Sequence, residues 1–338
     1  MGATHVHNET DLMYARSGGR KPPRKEFVMN ANRSLAAALA VVLASLAGLN
    51  PAGAAPVRAV TTTEDAAVIL EEVGGDHVEV ESLTRGYQDP HFVDARPSYL
   101  VKLNKADLFV QIGLDIEAGW VPALLTSARN PDIIPGSPGF VDLGLGIDPL
   151  EVPRQVDRSQ GDVHPLGNPH YWLGPSRGIE MSRTLRDALI RLRPAEADNF
   201  RQRQADFEAR LTQSIERWKA HAERIGLPGM QVVTYHRSWS YFAEEFGLLV
   251  IDFVEPRPGV PPSPAHVHDL VELMKAHQVP LLLVEPYFDP KLPERVAHDT
   301  GTRLVILPSS VGAQPEIKSY FDLFDSQLAQ IEEALAGS

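Results

Sequence analysis

Residues 194–225 read PAEADNFRQRQADFEARLTQSIERWKAHAERI. Pro194 suits the first position of a helix, where its missing N–H costs nothing. Phe200, Phe207, Leu211, Ile215 and Trp218 recur at helical spacing and share one face. A helix of ~30 residues is ~45 Å long at 1.5 Å per residue, longer than one small lobe is wide. Such a segment is either an amphipathic helix lying on one domain or a rigid backbone joining two. We prefer the second reading, because strand–helix alternation precedes the segment and resumes directly after Gly229.

Upstream, Val57 to Thr62 is an apolar strand, and Glu64 to Val73 has helical spacing that Gly74-Gly75 would end. His77 to Leu83 alternates apolar and acidic residues as a half-buried strand does. Pro97 to Ala106 predicts a helix, and Leu108 to Ile112 and Phe140 to Leu143 predict two further strands. Downstream, strands are expected at Gln231 to Tyr235, Leu248 to Val254, Pro280 to Val284 and Arg303 to Leu307. Helices are expected at Trp239 to Phe246, Pro264 to His277 and Pro293 to Thr300. Repeated alternation of this kind predicts an α/β protein: two βα lobes with mostly parallel sheets, joined by one long backbone helix. The divisions are 55–193 for the N-terminal lobe, 194–226 for the linking helix and 227–338 for the C-terminal lobe.

The N-terminus predicts where the protein works. Arg33 precedes an apolar run from Leu35 to Leu49, and Ala52-Gly53-Ala54 follows as a small-x-small cleavage site. That is the layout of a secretory signal peptide over residues 29–54, and the run is short of the ~20 residues a membrane span needs. Residues 1–28 read as an upstream extension, because Met29 would itself begin an ordinary signal peptide. A periplasmic location is expected, and without cysteine there is no residue for a lipid anchor. The first 54 residues hold six of the 32 basic residues and three of the 44 acidic ones, so residues 55–338 carry a net charge of −15. So acidic a surface argues against nucleic acid or anionic lipid as partners and does not oppose a cation.

Three histidines each end an apolar stretch: His91 in Gln88-Asp89-Pro90-His91, His170 in Asn168-Pro169-His170-Tyr171-Trp172, and His236 in Thr234-Tyr235-His236. Each falls in a loop following a strand or a turn opening a helix, where α/β proteins gather ligands. Three neutral imidazoles from separate loops suit zinc better than magnesium or calcium. With no cysteine in the chain, a thiolate site is excluded. His164 could be an auxiliary metal-capturing residue. His266 and His268 lie in the first turn of a helix and read as capping or solvent-facing.

Several segments, in order, resemble the zinc/manganese-binding proteins of ABC importers. They include Thr61-Thr62-Thr63, Glu72-Val73-Gly74-Gly75-Asp76-His77, Asp89-Pro90-His91, Arg96-Pro97-Ser98 and Asn104-Lys105-Ala106-Asp107. Asn168-Pro169-His170-Tyr171-Trp172-Leu173, Tyr235-His236, Pro262-Ser263-Pro264 and Val284-Glu285-Pro286 continue the match. The resemblance runs from about Val57 to the C-terminus. It implies a monomeric binding protein that delivers its metal to an ABC membrane permease, with the ion held between two α/β lobes.

That resemblance puts ligands at His91, His170 and His236. It departs at the fourth position, where many relatives have an acid after the last strand and this chain reads Leu307-Pro308-Ser309-Ser310. Glu285, Asp89 and a water molecule are the candidates for that place. Zinc is the expected cargo and manganese the lesser alternative. A zinc hydrolase, with three histidines holding zinc and Glu285 or Asp89 activating water, is the rival reading. Neither His-Glu-x-x-His nor Gly-x-Ser-x-Gly is present to support it. A two-lobed binder of iron chelates or corrinoids would not need three histidines.

Overall fold

The structure, a computed structural model, describes residues 55–153, 164–257 and 259–337. The extension 1–28 and the expected signal peptide 29–54 lie outside the described residues. Among the described residues, no helix is long and apolar enough to cross a membrane.

Strands β1 (Val57–Thr61), β2 (Val78–Ser82), β3 (Leu108–Gln111) and β4 (Phe140–Asp142) form one parallel sheet in the order β2-β1-β3-β4. Strands β5 (Gln231–Thr234), β6 (Leu249–Phe253), β7 (Leu281–Val284) and β8 (Arg303–Ile306) form a second, in the order β6-β5-β7-β8. Burial follows position in the sheet. Central β7, Leu-Leu-Leu-Val, is buried throughout, whereas edge strand β2 alternates half-buried Val78 and Val80 with exposed Glu79 and Glu81. A central parallel strand is covered on both faces and reads as a continuous apolar run.

Helix α1 (Glu64–Gly74) starts where the Thr63 hydroxyl accepts from the Ala66 N–H at 3.3 Å, with Glu64 and Asp65 in the first turn. Helices α2 (Pro97–Lys105), α3 (Val121–Ala128) and α4 (Pro175–Leu192) complete the first lobe. The linking helix is α5 (Ala197–Arg224), preceded by a 3-10 turn at Pro194–Glu196, so Pro194 opens the turn and not the α-helix. Helices α6 (Ser240–Phe246), α7 (Pro264–His277), α8 (Lys291–Thr300) and α9 (Tyr320–Ala336) belong with the second sheet. Three helices go beyond the sequence reading: α3, α4 and α9. The buried face of α4 includes Gly178, Ser182 and Ala188 among its apolar residues, which blurs the periodicity.

The buried face of α5 is the apolar stripe read from the sequence: Phe200, Phe207, Leu211, Ile215 and Trp218. These side chains join Val57 and Leu108 of the first sheet and Val232 and Leu281 of the second in one apolar cluster. Each sheet has a smaller satellite cluster as well, around Phe109 and Leu103 in the first and Val233 and Leu282 in the second. The lobes therefore share a core. Truncating a buried Phe costs about 3–5 kcal/mol in such packing, so independent movement of the lobes is opposed where α5 lies.

A second tie is polar. Asp65, fully buried at the start of α1, accepts from the Val311 N–H at 3.0 Å and from the Ser310 hydroxyl, both after β8. Burial pushes the Asp65 carboxyl up to about 7, outweighing the pull of the Ser310 and Val311 hydrogen bonds. The sign of its linkage to stability follows. Below the unfolded pKa the group is protonated in both states, and as pH rises through about 7 the folded state must ionise it at a cost, so its contribution is lost. The Asp65→Asn variant should therefore lose less melting temperature than the parent between pH 5 and 8.5. An identical fall in both proteins would show that Asp65 ionisation does not drive it.

Candidate metal centre

Strand ends position the centre. In each sheet the strand order reverses between the first and third strands, and in parallel sheets ligands collect outside the carboxyl ends near such a switch point. His91 lies in the segment after β2, His236 two residues beyond β5, and Glu285 directly after β7. His170 precedes a 3-10 turn, Tyr171–Leu173, that is fastened to both lobes. The Tyr171 hydroxyl donates to the Ile112 carbonyl at 2.6 Å, and the Trp172 indole donates to the Ser309 carbonyl at 2.8 Å.

The three histidines come together. Ring centroids stand 5.1 Å apart for His91 and His170, 5.5 Å for His91 and His236, and 5.3 Å for His170 and His236. One side-chain nitrogen from each lies within 4.8 Å of the others, and all three residues are buried. Among the described residues, no carboxylate joins that group.

Each ring is oriented through Nδ1 by an oxygen behind it. His91 Nδ1 meets Asp89 Oδ1 at 2.7 Å, and His170 Nδ1 meets Asn168 Oδ1 at 2.9 Å. The two cases share one local device, Asx-Pro-His. The Asx oxygen also accepts the histidine's backbone N–H, at 2.9 Å for His91 and 3.0 Å for His170. Proline has no N–H to compete, so the Asx turn closes on the residue after it. The Asn168 amide is fixed the right way round because its Nδ2 donates to the Arg237 carbonyl at 2.8 Å, leaving Oδ1 for the ring. His236 uses a long-range partner instead, with Nδ1 at 3.0 Å from Glu255 Oε2 just beyond β6. With Nδ1–H given to an oxygen, each Nε2 keeps its lone pair. Among the described residues, His170 Nε2 is buried with no hydrogen-bond partner.

The electrostatics follow from burial. His170 is held well below the ordinary 6.5, first by desolvation and then by the charges His91, His236 and His164 would carry. Burial would raise the Asp89 carboxyl, but its hydrogen bonds to His91 and the charge of that ring outweigh it and hold Asp89 below its usual range. Glu285 is fully buried, and among the described residues neither carboxyl oxygen has a hydrogen-bond partner of good geometry. Burial pushes it up to about 8, against a downward pull from the nearby Ser238 hydroxyl and with an upward push from Asp89 and Glu255. A cavity of about 590 Å³ lined by His91, Phe92, Asp94, Asp115 and Trp120 reaches the cluster. A smaller one of about 60 Å³ touches His91, His236, Glu255 and Phe288.

Of the residues singled out in the sequence, His91, His170 and His236 converge, while Asp89 stands behind His91 as its hydrogen-bond acceptor. Glu285 lies buried nearby outside the three-nitrogen group. His164 reaches the cluster, its Nε2 3.2 Å from His91 Nε2. The His266 ring bonds the Phe253 carbonyl at 2.8 Å instead. Asn168 and Glu255 are ring partners that sequence reasoning does not single out. The repeated Asx-Pro-His spacing is the available signal for Asn168, whereas nothing local marks Glu255.

Two parallel α/β lobes with a shared core and a buried cluster of imidazoles between strand ends define a two-lobed substrate-binding protein for a metal ion. The family described as "Zinc-uptake complex component A periplasmic" (ZnuA) matches residues 59–334, and the chain belongs to it. It is 25% identical over 317 residues to the metal ABC transporter substrate-binding lipoprotein FimA of Streptococcus parasanguinis, covering 90% of this chain and 99% of that one. It is 23% identical to the manganese ABC transporter substrate-binding lipoprotein PsaA of Streptococcus anginosus, covering 83% and 89%. The iron-binding protein YfeA of Yersinia pestis is 24% identical, covering 83% and 88%. A crystal structure of ZnuA shares the fold at TM-score 0.69 with 24% identity, covering 82% of this chain and 99% of that one. The chain is accordingly a binding protein and not an enzyme, which removes the hydrolase reading.

Proposed function

We propose that this protein captures zinc in the periplasm and delivers it to the membrane permease of an ABC importer, with His91, His170 and His236 as ligands. One observation carries the reading. Three buried rings each give Nδ1 to an oxygen, and their remaining nitrogens converge with no carboxylate of the described residues among them. Imidazole nitrogen suits zinc, whereas manganese prefers oxygen donors. The names of relatives span manganese and iron as well, so the choice of zinc rests on this donor set. Residues 55–193 and 227–338 act as the two lobes, with residues 194–226 as the connection between them. Residues 29–54 serve as the signal peptide, cleaved after Ala54.

Competition titration of the metal-stripped protein in matched buffer tests the metal. Zinc is expected to bind at least about a hundredfold more tightly than manganese, given the donor preferences of the two ions. Tighter manganese binding would overturn the zinc assignment while leaving a metal-binding protein.

A further inference from the structure

We infer that His164 is the fourth nitrogen donor to the ion, closing a four-imidazole sphere over the three converging histidines. The inference rests on the three-histidine reading above. His164 lies in the segment leading to Asn168-Pro169-His170, and its Nε2 stands 3.2 Å from Nε2 of His91. That is the inner nitrogen of His91, since Nδ1 is held by Asp89. Zinc–nitrogen bonds of 2.0–2.1 Å set neighbouring donors of a tetrahedron about 3.3–3.4 Å apart. The His91–His164 pair already has the length of one tetrahedron edge.

The His164 ring also faces His170, with centroids 6.5 Å apart, against 5.3 Å to His91. It is not within the radius shared by the other three, so completing the sphere requires the His164 ring to move towards His170 and His236. The competing donors are less well placed. Asp89 Oδ1 is occupied by the ring and backbone of His91, and among the described residues Glu285 stands outside the three-nitrogen group without the direct approach to a ring nitrogen that His164 makes. In the metal-free state one of the two facing nitrogens must carry a proton, giving an N–H···N hydrogen bond. Zinc replaces that proton, and His164 then bears its hydrogen on Nδ1. A fourth imidazole in place of a carboxylate or water strengthens the preference for zinc over manganese.

X-ray absorption at the zinc edge, combined with competition titrations, tests this on the parent protein and on His164→Ala and His164→Gln. Gln keeps polarity and length without a basic nitrogen. The parent should show four imidazoles on zinc and both variants three with one oxygen. Zinc affinity should fall about tenfold or more in both variants, the scale seen when the surroundings of a ligand are removed. The advantage of zinc over manganese should shrink in step, while the metal-free proteins melt alike. Three imidazoles in the parent, or unchanged affinity in both variants, would overturn the role of His164 and leave the three-histidine site standing. Parent-like zinc binding by His91→Ala, His170→Ala and His236→Ala would overturn both.

Discussion

Replacing His170 by alanine is expected to weaken zinc binding by at least about a hundredfold, because it removes a buried nitrogen donor from the sphere. His170 gives the sharpest result of the three because its Nε2 is buried and engages no hydrogen-bond partner. An unpaired buried nitrogen is costly unless something binds it, so its presence points to the ion. The metal-free variant should fold, since the segment is held by Tyr171 on Ile112, Trp172 on Ser309 and Tyr241 on Asn168, none of which involves the ring. Titration against a chelator of known affinity, with circular dichroism of the metal-free protein, makes the comparison. Parent-like affinity in a folded His170→Ala protein would remove this residue from the site.

The second large effect is on pH. Ligating histidines must be neutral, and an unperturbed imidazole titrates near 6.5, so zinc affinity should fall as pH drops from 7.5 to 5.5. Its steepness carries the information. His170 is held well below 6.5 by burial and by the charges of the neighbouring rings, so it competes for protons less than an ordinary imidazole does. The sign is fixed: a depressed histidine binds its proton only below the lowered value, and competes with zinc only there. Fewer protons should therefore be released per zinc than there are histidine ligands. Calorimetry in buffers of different ionisation enthalpy counts them directly. One proton released for every ligating histidine would show that His170 titrates as an exposed ring does, and equal affinity at both pH values would show that histidine does not dominate the sphere. Because zinc binds the folded state only, its elevation of the melting temperature should shrink over the same interval.

Periodicity alone specifies most of the fold. Central parallel strands are apolar throughout and edge strands alternate, so β7 and β2 announce themselves in different ways, and both are legible in the sequence. The stripe from Phe200 to Trp218 on the linking helix is equally plain, because a long amphipathic helix repeats one simple pattern many times. Helix α4 is not legible in this way, because its buried face includes Gly178, Ser182 and Ala188. Gly178 lies against Leu211 and Tyr320, where small size matters more than hydrophobicity. Residues fitted to a distant neighbour leave no local period.

The same division runs through the candidate site. His91, His170 and His236 can be picked out because each falls in a loop following a strand or at a turn opening a helix, and chain direction in a parallel sheet carries strand ends to one side. Asp-Pro-His and Asn-Pro-His write two of the three ring partners into adjacent residues. Glu255 behind His236, Asp65 on Ser310 and His164 on His91 link positions 19, 245 and 73 residues apart. Only the packing of β5 beside β6, and of the two lobes about one core, brings those pairs within reach. Sequence dictates what a segment buries and where it turns; a contact between distant segments depends on where every intervening segment packs, and that is decided by the tertiary structure alone.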